Sequence, residues 1–169
     1  MVERSLSATP FHWLALLSVG FAAIIADQVT KQIVISQLDL GDAVHLAGPL
    51  EIRHVTNPGI AFGLFSSWAS IVTALTAIAV GWMLFYFARA GARHPVLPVA
   101  LGLLVGGSLS NLIDRIRLGH VTDFLDLRFW PAFNLADTFI VVGVGILLVA
   151  LVSAERQPRL RRTAPKTSG

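Results

Sequence analysis

Cysteine is absent from this chain of 169 residues, and charged side chains are scarce. Without cysteine the protein forms neither disulfides nor thiolate metal sites. Charged residues make up only 14% of the sequence, whereas a soluble domain carries about 25%. Hydrophobic residues make up 54%, so the composition predicts a membrane protein. The net charge of +3 comes mostly from the C-terminal tail, which argues against nucleic-acid binding.

Four apolar segments are long enough to cross roughly 30 Å of hydrocarbon. They are approximately residues 11–35, 68–88, 96–113 and 134–154. We therefore predict one all-α membrane domain of four transmembrane helices over residues 1–154. The basic segment 155–169 is predicted to be a disordered cytoplasmic tail. No small-x-small cleavage site followed by a soluble domain is recognisable after the first segment, so we expect a retained helix rather than a secretory signal.

The basic residues near the spans predict the orientation of the chain in the membrane. Eight of the thirteen lie on the side that holds both termini, and the opposite side holds eight of the ten acidic residues. Both termini are therefore predicted to be cytoplasmic.

The outer loop, residues 36–67, is predicted to hold a small extracytoplasmic β-element. Residues 50–53 alternate apolar and polar side chains, which is typical of a strand. Residues 44–46 are a candidate partner strand, and residues 47–49 form a turn between the two.

This topology brings the unusual polar residues of the spans to one membrane face. They are Asp27 and Lys31 in helix one, Asn57 and Gly59 before helix two, Asn111, Asp114 and Arg115 in helix three, and Asn134 and Asp137 in helix four. The spacing of Asp27 and Lys31 predicts a helical ion pair. Asp114 and Arg115 are candidates for a second pair.

Asp123 and Asp137 are the most informative of the acidic residues. Asp137 opens the fourth apolar segment, and Asp123 is predicted to lie in the short loop before it. A carboxylate at membrane depth is costly and indicates a functional site. Two carboxyl groups that meet can share one proton and perform acid–base chemistry.

Purely structural interpretations exist for the same residues. Asn134 is a natural N-cap for helix four, and Asp137 would then stabilise the first helical turn. Asp123 and Asp126 are, on this interpretation, solvated loop acids. The five histidines show no metal-ligand spacing, so zinc chemistry is not expected.

Three other functions fit part of the pattern. A small transporter or proton-conducting protein also places acids in its spans, although it usually shows inverted repeats. A serine–lysine protease would use Lys31 to activate Ser108 or Ser110. A structural membrane scaffold would need none of the acids for activity.

Five motifs in order resemble the lipoprotein signal peptidases (signal peptidase II), which are bacterial intramembrane aspartic proteases. They are residues 27–31 (DQVTK), 57–62 (NPGIAF), 106–115 (GGSLSNLIDR), 119–124 (GHVTDF) and 133–137 (FNLAD). Each motif alone is weak, but five in order on a four-helix frame make the resemblance specific.

The resemblance implies that Asp123 and Asp137 are the catalytic dyad and that the other polar residues support it or bind substrate. The implied substrate is a diacylglyceryl-modified prolipoprotein, cut on the N-terminal side of its lipidated cysteine. No cofactor or metal is implied. We expect a monomer in the bacterial inner membrane, surrounded by lipid, with the active site near the outer face.

Two features depart from the family pattern. Ser110 stands where the family usually has glycine, and its hydroxyl is expected to bond back into its own helix. We expect a local packing change there and no change of chemistry. The link between Asp123 and Asp137 is also short, which predicts a reduced flap over the site.

Overall fold

The computed structural model describes residues 9–58, 69–90 and 96–161. These residues form four helices and three strands in the order α1-β1-β2-α2-α3-β3-α4. The helices are α1 (Pro10–Gln37), α2 (Ala69–Ala90), α3 (Leu97–Leu118) and α4 (Leu135–Arg161). The strands are β1 (Ala43–Ala47), β2 (Leu50–Asn57) and β3 (Val121–Asp126).

Each predicted span coincides with a helix, but the helix ends differ. Within the described residues, α1 and α3 are long and apolar enough to cross a membrane. The apolar parts of the other two, Thr73–Arg89 and Leu135–Ala150, are shorter. α4 continues to Arg161, so the predicted disorder was wrong for residues 155–161. Ala154, Glu155, Arg156 and Gln157 favour helices, so the helix extends beyond the apolar run at these residues.

Small residues let α1 and α4 approach α3 closely. A Cβ atom added to Gly106 would lie 2.5 Å from the backbone oxygen of Gly20 in α1. A Cβ atom on Gly107 would lie 2.5 Å from the backbone oxygen of Ala136 in α4. Neighbouring glycines on α3 therefore fix the positions of two different helices.

The other end of the bundle is an apolar core. Leu16, Phe87, Leu101 and Leu104 form its buried centre, so α1, α2 and α3 meet there. The indole of Trp13 meets the ring of Phe87 edge-on, with centroids 5.0 Å apart. This packing attaches α2 to the rest of the helices.

The three strands form one antiparallel sheet in the order β1-β2-β3. The predicted hairpin of β1 and β2 is confirmed, with Val44 opposite Ile52. The placement of Asp123 in a loop was wrong, because it lies on β3 opposite Val55 of β2. β3 is short and buried over its first four residues, so its sequence shows no alternation of apolar and polar side chains.

The predicted two-stranded element is in fact a three-stranded sheet, because β3 pairs with β2. Gly119 ends α3 with a φ of 78°, a conformation that glycine adopts at little cost. The chain then turns directly into β3. The sheet therefore joins the segment after α1 to the segment after α3, and this brings the end of β2 beside Asp123.

Candidate active site

Asn134 and Asp137 form a reciprocal cap at the start of α4. The backbone N–H of Asn134 donates to Asp137 Oδ2 at 3.3 Å, and the backbone N–H of Asp137 donates to Asn134 Oδ1 at 3.0 Å. The structural interpretation of Asn134 as a capping residue is thus correct. The same side chain also donates from Nδ2 to Asp123 Oδ1 at 2.7 Å. Asn134 therefore contacts both acids of the predicted dyad.

Asp123 is almost fully buried, with only 1% of its surface exposed. Asn57 Nδ2 donates to its Oδ2 at 2.9 Å, so each carboxyl oxygen accepts one amide hydrogen bond. Burial raises the pKa of Asp123 to about 6, and the charge of Asp137 adds to this. The two asparagine bonds and the charge of Lys31 act in the opposite direction. An acid in this range can exchange a proton near neutral pH.

Lys31 lies at the centre of a buried polar cluster. Its Nζ lies 2.7 Å from Asp27 Oδ2 and 2.8 Å from Asp114 Oδ2, which confirms the predicted Asp27–Lys31 ion pair. It also donates to Asn111 Oδ1 at 2.9 Å. An ammonium group has three N–H donors, and here each has an acceptor.

The bond from Lys31 fixes the orientation of the Asn111 amide. Since Asn111 Oδ1 accepts from Lys31, its Nδ2 faces Asp137 and donates to Oδ1 at 2.8 Å. Lys31 is therefore connected to Asp137 through Asn111.

Asp27 connects three helices through its two carboxyl oxygens. Oδ1 accepts the backbone N–H of Ala136 in α4 at 2.9 Å. Oδ2 accepts the hydroxyl of Ser110 in α3 at 2.7 Å. The expectation that Ser110 bonds back into its own helix was therefore wrong. The close approach of α1 and α3 gives the hydroxyl a charged acceptor instead.

Asp114 and Arg115 have different environments, although they are adjacent in α3. Asp114 is buried, and besides Lys31 it accepts from Gln28 Nε2 at 2.8 Å and from the backbone N–H of Thr122 at 3.3 Å. Arg115 is half-buried, and its charge interacts with Asp137, Asp123 and Asp114. Gln28 was not among the site residues predicted from the sequence. Its signal was its position between Asp27 and Lys31 in the first motif.

The structure also bears on Asn57, Gly59 and the serine–lysine alternative, which the sequence left open. Asn57 reaches the site as predicted, whereas Gly59 lies outside the described residues. The arrangement does not favour a serine–lysine protease. Lys31 is an ammonium group between two carboxylates, and the hydroxyl of Ser110 donates to Asp27.

Two grooves open beside the two acids. One of about 400 Å³ reaches Asp137 and is mostly apolar; its lining residues are Leu127, Phe129, Trp130, Phe133, Thr138, Val141 and Val142. The other, of about 240 Å³, reaches Asp123 and is lined by Val55, Thr56, Asn57, Pro58, Pro131 and Ala132. Residues of the link between the acids line both grooves. The link is irregular, with Phe133 bridged to Leu125 of β3.

The sequence matches the profile of a known family over most of its length. Residues 19–153 match the family described as "Signal peptidase (SPase) II". The lipoprotein signal peptidase of Symbiobacterium thermophilum is 41% identical over 145 residues, covering 82% of this chain and 95% of that protein. The lipoprotein signal peptidase of Pelotomaculum thermopropionicum is 40% identical over 131 residues, covering 77% and 86%.

Two solved structures share the fold, and both are described as bacterial membrane enzymes. One has a TM-score of 0.79 at 26% identity, covering 99% of this chain and all of the other. The second has a TM-score of 0.74 at 28% identity, covering 88% of this chain and 97% of the other. The chain therefore belongs to the signal peptidase II family of aspartic-type membrane proteases.

Proposed function

We propose that the protein cleaves diacylglyceryl-modified prolipoproteins on the N-terminal side of the lipidated cysteine, with Asp123 and Asp137 as the catalytic dyad. The observation that carries this proposal is the position of Asn134. Its amide donates to Asp123, while its backbone N–H donates to Asp137. One residue thus holds two acids from different elements, β3 and α4, in a single site.

The two acids differ in their local surroundings. Asp137 lies in the first turn of α4, where the helix dipole and its hydrogen bonds stabilise a carboxylate. Asp123 is buried on β3, and its pKa is raised to about 6. An apolar substrate would displace water and favour the neutral form further. We therefore assign Asp137 as the general base and Asp123 as the general acid.

The reaction follows from this assignment. Asp137 takes a proton from a water molecule, whose oxygen attacks the scissile carbonyl carbon. Asp123 donates its proton to the carbonyl oxygen, giving a neutral tetrahedral intermediate. As the C–N bond breaks, Asp137 passes its proton to the leaving nitrogen. Asp123 recovers a proton from the intermediate, so both acids return to their starting states.

The grooves suggest how the substrate lies in the site. The apolar groove at Asp137 suits hydrocarbon, and Val141 and Val142 continue it along α4. The groove at Asp123 contains Thr56 and Asn57, whose polar atoms suit an extended peptide backbone. In the proposed orientation the site lies near the outer face of the inner membrane, and both termini are cytoplasmic. The polar cluster is assembled within one chain, which supports a monomer.

The test uses purified enzyme in detergent and two forms of one prolipoprotein, with and without the diacylglyceryl group on cysteine. Mass spectrometry should show a cut immediately before the lipidated cysteine and no cut in the unmodified form. Asp137→Asn should abolish cleavage, because an amide cannot accept the proton from water. A chelator should leave the rate unchanged. Equal cleavage of both substrate forms, or full activity of Asp137→Asn, would contradict the proposal.

A further inference from the structure

Ser110 has a completely buried hydroxyl with two polar partners on α1. The residue is 0% exposed. Its Oγ accepts a hydrogen bond from Gln28 Nε2 at 3.0 Å and donates to Asp27 Oδ2 at 2.7 Å. A serine hydroxyl has one proton. Because Gln28 is a donor here, the proton of Ser110 is directed at Asp27.

Ser110 and Gln28 together hold both carboxylates that flank Lys31. Asp27 Oδ2 accepts from Ser110 and from Lys31. Asp114 accepts from Gln28 at Oδ1 and pairs with Lys31 through Oδ2. The hydroxyl of Ser110 therefore fixes where the ammonium group sits between its two acids. All of these groups except Gln28 are buried, so displaced hydrogen bonds are poorly replaced by water.

We propose that Ser110 is a positioning residue for the catalytic dyad, an inference that rests on the proposed function. Ser110 locates Lys31 through Asp27, and Lys31 orients the Asn111 amide toward Asp137. A second connection runs through the other oxygen of Asp27 to the backbone N–H of Ala136, next to Asp137. Without the hydroxyl, Lys31 is the one remaining donor to Asp27 Oδ2. The carboxylate and the ammonium can then move together, which lengthens the bond from Lys31 to Asn111.

The test compares Ser110→Ala with Ser110→Thr, which keeps a hydroxyl. We expect Ser110→Ala to lower kcat about tenfold, the value of one buried hydrogen bond of about 1.4 kcal/mol. KM should change less than twofold, because Ser110 lines neither groove. The acid limb of the pH–rate profile should move to higher pH, since the Asp137 carboxylate loses part of its stabilisation. Ser110→Thr should recover most of kcat.

Ser108→Ala is the matched control, because two residues along a helix place Ser108 roughly on the opposite side of α3 from Ser110. Its kcat and pH profile should match the parent enzyme.

The double variant Ser110→Ala/Asn111→Ala should be no slower than Asn111→Ala alone, because both changes act on the same bond to Asp137. Thermal unfolding identifies variants that fail to fold. If Ser110→Ala does not fold, the kcat and pH profile of Ser110→Thr decide whether the hydroxyl positions Lys31.

Several results would overturn this inference. They are a normal kcat and pH profile in Ser110→Ala, a loss confined to thermal stability, and full additivity with Asn111→Ala. Asp137→Asn is assayed in parallel. If it is inactive while Ser110→Ala is normal, only the role of Ser110 fails. If Asp137→Asn is active, the proposed function itself fails.

Discussion

Helix α3 is packed by apolar side chains at one end of the bundle and by charged and amide side chains at the other. At one end, Leu101 and Leu104 join an apolar core with Leu16 and Phe87. At the other end, α3 carries Asn111 and Asp114 into a buried cluster of ions and amides. The first region needs only shape and apolar area. The second needs a partner for each charge.

This difference predicts how substitutions at the two ends will act. Burying apolar side chains is favourable in many alternative arrangements. Burying Lys31 is tolerable only because Asp27, Asp114 and Asn111 all accept from it. A change at the apolar end should therefore affect folding and leave the chemistry intact. A change at the polar end should affect both.

Apart from changes to the two proposed catalytic acids, the largest effect is expected for Lys31→Met. It removes the cation between two buried carboxylates, and breaking a buried pair in this way costs about 3–5 kcal/mol. It also releases the Asn111 amide, so cleavage should fall at least about 100-fold, by analogy with other lost transition-state hydrogen bonds. Arg53→Met is the control, because Arg53 pairs with Glu51 and Asp126 but its side chain is 40% exposed. Equal losses of cleavage in Lys31→Met and Arg53→Met would contradict the special role of the buried cluster.

Phe87→Ala probes the apolar end. Removing this fully buried ring should lower the free energy of unfolding by about 3–5 kcal/mol. At a temperature where the variant is folded, kcat should remain within about twofold of the parent, because no part of the polar cluster moves. Phe85→Ala on the same helix removes an exposed ring and should cost far less. A drop in kcat as large as that of Lys31→Met would show that the two ends are coupled.

Gly107→Ala connects the two regions, since Gly107 sets the distance between α3 and the first turn of α4. The new methyl group would collide with the backbone oxygen of Ala136, at a typical cost of about 1–3 kcal/mol. Displacement of Asp137 should lower kcat about tenfold, since small misplacements at reacting groups are costly. Gly81→Ala on α2 meets no atom within 4 Å and should leave kcat unchanged. Normal kcat in Gly107→Ala would contradict the idea that helix spacing positions the acid.

The smallest and most graded effect is the dependence on pH. The pKa of Asp123 is raised in the folded protein to about 6 from 3.8. The folded state therefore binds more protons between these values, and the contribution of Asp123 to stability falls as pH rises from about 4 to above 6. Above about pH 6, kcat/KM should also decline as the general acid loses its proton. Profiles of Tm and kcat/KM that are flat across this range would refute the assignment.

The sequence predicted the helices and the converging polar residues because their signals are local. Apolar runs of span length and the i, i+4 spacing of Asp27 and Lys31 need no tertiary information. β3 was missed because its burial comes from pairing with β2 and packing on α3. The direction of the Ser110 hydroxyl was also missed, since it depends on how closely glycines bring α1 and α3 together. Long-range contacts of this kind leave no periodic pattern in the sequence.

The most direct test compares Asp123→Asn with Asp126→Asn on the same strand. Both variants replace one carboxylate of β3 with an amide. Asp126 is partly buried and pairs with the half-exposed Arg53 at 3.0 Å, while Asp123 is fully buried between Asn57 and Asn134. The proposed mechanism predicts that Asp123→Asn loses all measurable cleavage of the lipidated prolipoprotein and that Asp126→Asn keeps at least half of the parent kcat/KM. Full cleavage by Asp123→Asn in the folded protein would contradict it.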